Sequence, residues 1–271
     1  MPNEKYTTNQ IKIGNNKQDA QIHIFDTLIT TMQTARELAK KGSPNLSVVV
    51  ANRQTKGRGR LNRNWLSEEG GLWFTTILRP SLKPSSAFLV NFAASLALAT
   101  VLKQNYKLDV TIKWPNDILF KDKKVAGLLS EMETDGDTIA FVNIGIGINV
   151  NNNPEIEQPN AISIKGALVR SVEDEISKIE LLHLFLDEFE NQLLKIESTE
   201  SYSLNIIDEW KEMTSTIGRS VKIETFNDIY EGVVVDVDES GALIIMDSQG
   251  EKKRIIYGDC FYQESRDIYK I

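Results

Sequence analysis

The stretch VTIKWPNDILFKDKKVAGLLSEMETDGDTIAFVNIGIGINV, residues 110–150, decides the fold of this chain. Its apolar segments VTIKW, DILF, KVAGLLSEM and TIAFVNIGIGINV predict four β-strands. Turn signals separate them at Pro115-Asn116, Lys121–Lys123 and Asp135–Asp137. Turns this short join antiparallel neighbours, because a parallel pair needs a long crossover connection. The stretch therefore predicts an antiparallel meander and not a βαβ array.

Toward the N-terminus, apolar periodicity predicts further strands and helices. The segment QIHIFDTL alternates apolar and polar side chains as a half-buried strand does. Thr30 or Thr31 can cap the helix that follows it. The predicted elements are strands over 21–28, 46–51 and 70–78, a helix ending at 40, and a long apolar helix from 85 or 86 to about 102. The polar first 20 residues are predicted to form a loop or a frayed end.

Toward the C-terminus, amphipathic helices are predicted over 173–196 and 203–213. The rhythm changes near Gly218, where VKIET, IYEGVVVDVD, ALIIMDS and EKKRIIYG predict short strands at regular spacing. The predicted fold class is α+β, with a mixed or antiparallel central sheet and flanking helices. We place this domain at 1–215, including the polar segment 1–20, and a small β-barrel-like module at 216–271.

Composition excludes several classes of protein. The net charge of −7 argues against a protein that coats nucleic acid. The single cysteine, Cys260, permits no internal disulfide and suits a reducing compartment, where it is interpreted as a small apolar strand residue. The start MPNEKYTTNQ lacks the apolar core of a signal peptide, and we find no unbroken apolar run long enough for a membrane helix. We therefore expect a cytoplasmic protein without nucleic-acid or membrane partners.

The loop RQTKGRGRLNRNW, residues 53–65, carries five basic residues and no acidic one. Gly57 and Gly59 let the backbone approach a ligand closely, and Arg58 and Arg60 are planar cations suited to phosphates. The loop matches neither the P-loop nor the dinucleotide-binding fingerprint. On composition alone, an anion-binding loop and a flexible solvated turn are equally good interpretations.

The segment KWPND, residues 113–117, places a lysine and an aromatic residue at the end of a core strand. Asn116 and Asp117 are common turn formers, but a buried Lys113 would need an anionic partner. Lys124 begins the next apolar strand, where Gly127 leaves space for a ligand. Two lysines directed at one cavity are suited to acyl-phosphate chemistry, in which they neutralise carboxylate and phosphate oxygens.

The segment NIGIGINVN, residues 143–151, alternates glycine with isoleucine. Bare backbone weakens a strand unless something packs against it, and a ligand ring or, more simply, a neighbouring helix would do so. Asn149 can offer a donor and an acceptor to a base or a ribose. His23 and His183 lie near no carboxylate or cysteine pattern, so we assign them no catalytic role, and no zinc or serine-hydrolase signature occurs.

Five segments in this order resemble biotin–protein ligases in sequence and spacing. They are GRGR followed by a tryptophan (57–65), GGLW (70–73), KWPND (113–117), KVAG (124–127) and GIGIN (145–149). The resemblance runs from about Ile22 to the C-terminus, and it implies that residues 216–271 form the family's SH3-like C-terminal domain. The chain starts close to the catalytic domain, which suggests a monofunctional ligase without the repressor type's DNA-binding domain.

The resemblance implies an enzyme that uses ATP, Mg²⁺ and biotin. Biotin is converted to biotinyl-5′-AMP and then transferred to a lysine of a biotin carboxyl carrier domain belonging to a carboxylase. A homodimer is also implied. The sequence identifies neither the acceptor carboxylase nor a metal ligand.

The resemblance also assigns roles to individual residues. Those implied at the biotin site are Thr30, Thr31, Gln54, Gly57, Arg58, Gly59, Arg60, Lys124 and Gly127. Those implied at the ATP and adenylate site are Arg58, Arg60, Trp65, Asn116, Lys124 and Asn149. The implied catalytic set is Lys124, Arg58, Lys113 and Asp117. This chain has Met32 where the family often has an asparagine, so one contact to biotin has no counterpart here.

Two alternatives remain. A lipoate–protein ligase shares the fold and the adenylation chemistry, although KWPND, GRGR and the C-terminal module favour biotin. A non-catalytic biotin sensor would bind the vitamin without turning over ATP. A DNA-binding regulator is disfavoured, because no helix-turn-helix segment is found.

Overall fold

The computed structural model of this protein describes residues 6–13, 18–169, 174–198 and 200–263. An eight-stranded mixed sheet has the strand order β1-β2-β3-β4-β8-β7-β6-β5. Its strands are β1 (Tyr6–Ile13), β2 (Gln18–Leu28), β3 (Ser47–Gln54), β4 (Leu72–Leu78), β5 (Val110–Lys113), β6 (Asp117–Phe120), β7 (Lys123–Asp135) and β8 (Thr138–Ile148). The strands β5 to β8 form the predicted antiparallel meander.

Residues 6–13 and 18–20 differ from the prediction of a loop or frayed end over the first 20 residues, and the rest of that segment lies outside the described residues. Residues 6–13 form the edge strand β1, which pairs antiparallel with β2 along its whole length. Pairing with β2 supplies the backbone hydrogen bonds of β1, and the polar composition of β1 gave no sign of this pairing. The one parallel pair among the described strands is β2 with β3, and helix α1 (Thr31–Lys40) forms its crossover. As predicted, Thr30 caps this helix, because its hydroxyl accepts a hydrogen bond from Met32 N.

The larger core cluster lies between one face of the large sheet and a layer of helices, and a smaller cluster lies between the other face and α1. The described helices are α1, α2 (Phe88–Tyr106), α3 (Ile164–Ala167), α4 (Lys178–Ser198) and α5 (Glu200–Met213). Helix α2 packs against α4 and α5 and is buried along most of its length. It starts later than predicted, because Pro84–Ser86 form a separate 3-10 turn and no serine caps it.

The helical stretch Pro84–Tyr106 is long and apolar enough to cross a membrane, a property that the sequence alone did not suggest to us. However, 67% of its most apolar part is buried inside the protein. A stretch apolar on most faces is what the central helix of a core requires. In this structure the stretch accordingly serves as a core helix.

A second sheet of five antiparallel strands follows, in the order β12-β11-β10-β9-β13. Its strands are β9 (Ser220–Glu224), β10 (Ile229–Val237), β11 (Leu243–Met246), β12 (Lys252–Ile255) and β13 (Asp259–Tyr262). The fifth strand, β13, was not predicted as a separate element. Buried Trp114 connects the sheets, because its indole N–H donates to Gly241 O at 3.0 Å.

Candidate active site

A cavity of about 840 Å³ lies between the large sheet, the loop 53–65 and strand β13. It brings together twelve of the site residues predicted from the sequence: Thr30, Thr31, Gln54, Arg58, Gly59, Arg60, Trp65, Lys113, Asn116, Asp117, Lys124 and Gly127. Cationic side chains outnumber carboxylates on its described walls. The cavity is therefore suited to an anionic ligand of substantial size.

One end of the cavity is a neutral hydrogen-bonding cluster. Thr31 N and Thr31 Oγ1 both donate to Gln54 Oε1, at 2.8 and 3.2 Å. Gln54 Nε2 donates to Ser67 Oγ, and Thr75 Oγ1 donates to Thr31 Oγ1, each at 2.8 Å. These contacts fix the amide and the hydroxyls in known orientations before a ligand arrives. A ligand with a neutral polar head fits this end.

Met32 closes the same end with an apolar surface. Its side chain is buried, and a Cβ built on Gly145 would lie 2.7 Å from Met32 Sδ. The close approach of the thioether accounts for glycine at position 145. A thioether is at best a weak acceptor and cannot donate, so Met32 supplies packing where an asparagine would supply an amide.

The other end of the cavity is ionic. Lys124 Nζ lies 2.7 Å from Asp117 Oδ1 and 4.8 Å from the centroid of the Trp65 ring. Asp117 lies on strand β6, and Lys124 lies on the neighbouring strand β7. Asp117 pairs with Gly127 in the strand register, and the register shifts between Ile118 and Leu119. A lysine held by one carboxylate and one aromatic face has a fixed position for its ammonium group. This end can neutralise charge that develops on a ligand.

Lys113 differs from the prediction of a buried lysine with an anionic partner. Its side chain is half-buried and lines the cavity, and its ammonium lies 4.7 Å from the centroid of the Tyr262 ring. Among the described residues, no carboxylate lies within ion-pair distance of it. The anionic partner that we expected for one lysine therefore belongs to Lys124.

Three of the four arginines of the loop line the cavity, and each has a different partner. Arg58 pairs with Glu131 at 2.7 Å, while Arg63 pairs with Asp259 at 2.7 Å. Arg60 donates to Gly258 O at 3.0 Å and more weakly to Asn116 Oδ1 at 3.4 Å. Burial lowers the pKa of the Arg60 guanidinium from its usual high value, although nearby carboxylates oppose this shift. The loop is thus anchored to the C-terminal sheet, and a flexible solvated turn is not what the structure shows.

One glycine of strand β8 and one of strand β7 are covered by a ring from the protein itself. A Cβ on Gly147 would lie 2.5 Å from Trp65 Cε2, and a Cβ on Gly127 would lie 2.8 Å from Trp65 Cζ3. Neither a ligand nor a helix was needed to explain this part of the glycine pattern. Trp65 also meets Trp73 edge-on, with ring centroids 6.4 Å apart. The indole therefore forms one wall of the cavity beside Lys124.

Two predicted site residues do not line the cavity. Gly57 is buried in the loop, where a Cβ would lie 2.5 Å from Ser67 Oγ. Asn149 is buried too, and its amide contacts Lys124 O at 3.5 Å and accepts from Asn152 at 2.9 Å. Both residues support neighbours of the cavity, because Asn149 holds the strand that carries Lys124. Direct contact of Gly57 or Asn149 with a ligand stays a prediction.

The sequence did not reveal the wall contributed by the C-terminal sheet. The lining residues that we missed include Arg219, Asp259, Cys260, Phe261, Tyr262 and Gln263. Burial raises the pKa of the Cys260 thiol to about 12, so it stays protonated at neutral pH and is no nucleophile. Nothing in the short segment GDCFYQ signals a binding site, because its role depends on packing against a distant loop.

The described residues contain no group of three His, Cys, Asp or Glu side chains that could hold a metal ion. Mg²⁺ commonly keeps several waters and binds through one or two carboxylates together with substrate phosphates. Asp117 is a carboxylate of the cavity in a position to contribute to such a site. Among the described residues, the donor set therefore fits a metal ion that arrives with a nucleotide.

Comparisons with known proteins agree with this geometry. Residues 25–149 match the biotin/lipoate A/B protein ligase family, and residues 216–262 match the biotin protein ligase C-terminal domain. The bifunctional ligase/repressor BirA of Bacillus subtilis is 31% identical over 252 residues, which is 92% of this chain and 77% of that protein. The biotin–[acetyl-CoA-carboxylase] ligase of Paracoccus denitrificans is 31% identical over 79% of this chain and 91% of its own length.

This chain belongs to the biotin protein ligase family. A solved biotin protein ligase from Aquifex aeolicus, in complex with biotin and ATP, superposes with a TM-score of 0.73. It is 27% identical, and the match covers 90% of this chain and 99% of that one. The predicted fold class, an α+β domain with a mixed sheet and a small SH3-like C-terminal module, is confirmed. The domain boundary that we placed after residue 215 stays a prediction.

Proposed function

We propose that this protein is an ATP-dependent biotin–protein ligase, which forms biotinyl-5′-AMP and transfers biotin to a lysine of a biotin carboxyl carrier domain. One observation carries the proposal: a single cavity joins a neutral hydrogen-bonding end at Thr31 and Gln54 to a cationic end at Lys124. Biotin has a neutral ureido head and a terminal carboxylate. The ligand would therefore lie along the cavity, with its carboxylate among the cations.

In the first step, a carboxylate oxygen of biotin attacks the α-phosphorus of ATP. A new P–O bond forms, the bond from that phosphorus to the bridging oxygen breaks, and pyrophosphate leaves with the electron pair. Negative charge gathers on oxygens of both reactants, which Lys124 and Arg60 neutralise. Arg58 and Lys124 are each held by a carboxylate, Glu131 and Asp117 respectively, so each contributes fully only after leaving that carboxylate. Trp65 and the neighbouring walls limit access of water to the mixed anhydride.

In the second step, the ε-amine of the acceptor lysine attacks the carbonyl carbon of the anhydride. The C–N bond forms, the C–O bond to phosphate breaks, and AMP leaves. The attacking nitrogen must lose a proton, and Asp117 is the carboxylate that this end of the cavity offers. Lys113 lies opposite Asp117 in the strand register and lines the cavity, and it is the lysine proposed to contact the departing phosphate.

Four finer elements belong to the same proposal. Mg²⁺ would enter bound to the ATP phosphates, because it binds through one or two carboxylates together with substrate phosphates, and Asp117 can supply a carboxylate. A homodimer and a cytoplasmic location accompany the assignment as family expectations. The carrier domain is the proposed partner, in line with relatives named biotin–[acetyl-CoA-carboxylase] ligases in Paracoccus denitrificans and Mycobacterium tuberculosis.

The decisive experiment measures pyrophosphate release from ATP with biotin, with lipoate and with neither. A biotin carboxyl carrier domain is then added, and labelling of its lysine is followed by mass spectrometry. Release with biotin followed by carrier labelling is the expected result. Release with lipoate alone would move the chain to lipoate ligation, and biotin binding without release would make it a sensor.

A further inference from the structure

We propose that Tyr262 is a positioning residue, whose ring holds the Lys113 ammonium at the wall of the cavity. The inference rests on the proposed ligase reaction, in which Lys113 meets the phosphate of the adenylate. It concerns a side chain of the C-terminal module that the sequence did not single out. Tyr262 does not need to touch the substrate, because it acts through Lys113.

The first observation is the placement of two cations against one ring. Lys113 Nζ lies 4.7 Å from the Tyr262 ring centroid, and the Arg219 guanidinium carbon lies 4.6 Å from it. Both distances fall inside the range of cation–π attraction, which extends to about 6 Å. Arg219 has a second partner, because it also pairs with Asp122 at 3.0 Å. Among the described residues, the ring is the contact that fixes the charged end of Lys113.

The second observation is that the ring itself is anchored beside Lys113. Tyr262 OH lies 2.9 Å from Ser215 Oγ and 3.0 Å from Thr216 Oγ1. Thr216 Oγ1 also accepts from Trp114 N at 2.9 Å, and Trp114 directly follows Lys113 in the chain. The backbone that carries the lysine and the ring that receives its ammonium are thus tied to the same hydroxyl. The ring cannot drift without breaking these bonds.

The third observation concerns the charge state of the ring. Burial raises the pKa of the Tyr262 phenol to about 12, although its hydrogen bonds to Ser215 and Thr216 oppose this shift. The side chain therefore stays a neutral phenol at working pH and attracts Lys113 as an aromatic face. A long lysine side chain loses rotamer freedom when it is ordered. A contact that orders it before the nucleotide binds removes part of this cost from the reaction.

The test compares Tyr262→Phe, which keeps the ring, with Tyr262→Leu, which removes it. We expect Tyr262→Leu to lower the rate of biotin transfer from the adenylate to the carrier domain about tenfold, the size of a strong cation–π contact. Tyr262→Phe should fall less than about threefold, since only the anchoring hydroxyl is lost. Biotin affinity should not change, because Thr31 and Gln54 lie at the other end of the cavity. Tyr230→Leu, the same change on a strand of the same sheet and away from the cavity, is the matched control.

A double-mutant cycle separates positioning from a merely structural role. If Tyr262 acts through Lys113, the pair Lys113→Met with Tyr262→Leu should be no slower than Lys113→Met alone. If the double variant is slower than Lys113→Met alone, so that the fold-losses of the two substitutions multiply, the inference is wrong. If Tyr262→Leu does not fold, the Hε protons of Lys113 in the wild type provide a second readout. They should be shifted upfield by the ring current, with Lys113→Met used for assignment, and unshifted protons would also overturn it.

The failure of this inference is distinguishable from failure of the proposed function. A wild-type protein without biotin-dependent pyrophosphate release contradicts the ligase assignment. An active wild type that is matched by Tyr262→Leu contradicts only the role of Tyr262.

Discussion

Replacing Gly147 with alanine should damage the cationic end of the cavity, at Lys124, while the sheet stays intact. The added Cβ would lie 2.5 Å from Trp65 Cε2 and 2.9 Å from Cζ2, whereas nonbonded carbons prefer about 3.5–4.0 Å. The indole must therefore move outward by about 1 Å. The strand cannot yield instead, because β8 is hydrogen-bonded to β4 on one side and β7 on the other. Trp65 is half-buried and lies in a loop, so it is the part that shifts.

Overpacking of this kind costs about 1–3 kcal/mol, and we place Gly147→Ala near the lower limit because the indole that must yield is only half-buried. We expect the free energy of unfolding to fall by about 1 kcal/mol. Displacing the indole also removes the aromatic face that lies 4.8 Å from Lys124 Nζ. A contact worth about 1.4 kcal/mol corresponds to tenfold in binding. The KM for ATP should therefore rise about tenfold, while the KM for biotin changes little.

Gly145→Ala is the matched control, because it makes the same change two residues earlier on the same strand. Its Cβ would meet the flexible Met32 side chain at the neutral end of the cavity. We expect a small rise in the KM for biotin and none for ATP. Initial rates of pyrophosphate release over series of both substrates measure this, and tryptophan fluorescence reports movement of Trp65. Unchanged fluorescence and an unchanged KM for ATP in Gly147→Ala would refute the packing argument.

Three further changes test other parts of the structure. Lys124→Ala should lower the rate of pyrophosphate release at least about 100-fold, the scale of one lost electrostatic stabiliser; wild-type rates would exclude this role. Arg60→Gly should release the adenylate into solution, because the loop loses its hydrogen bond to Gly258 O, and unchanged labelling of bystander proteins would contradict it. Glu190→Gln should raise the melting temperature near pH 7 and lose this gain near pH 4. Glu190 is 1% exposed, and burial raises its pKa. The free-energy cost of burying its charged form therefore grows as pH rises. A gain in melting temperature that is independent of pH would contradict this reasoning.

The meander and the cavity residues on it could be predicted from the sequence because their signals are local. Apolar runs separated by short turns determine the antiparallel pairing of β5 to β8, and KWPND with KVAG places Asp117 and Lys124 on neighbouring strands. The helix α1 was predictable for the same reason, since Thr30 is a good N-cap. The polar strand β1 was not, because its pairing with β2 and not its composition makes it a strand.

The charges of the loop 53–65 were visible in the sequence, but their partners were not. Arg58 pairs with Glu131 and Arg63 with Asp259, and both partners are far away in the chain. Only tertiary packing brings such groups together, so composition left the loop equally consistent with a solvated turn. The same limit applies to Asn149, whose polar side chain supports the strand of Lys124 without lining the cavity.

The cationic wall of the cavity depends on both sheets at once. Arg60 is held by the carbonyl of Gly258, and Arg63 lies 5.3 Å from the Phe261 ring. From the large sheet, Trp114 reaches in the opposite direction and donates to Gly241 O. Contacts that cross in both directions couple docking of the C-terminal sheet to the order of the arginine loop, because neither can move without breaking the other's bonds. The C-terminal sheet is therefore part of the site, and a change in its docking surface should alter catalysis without touching a residue that contacts the substrate.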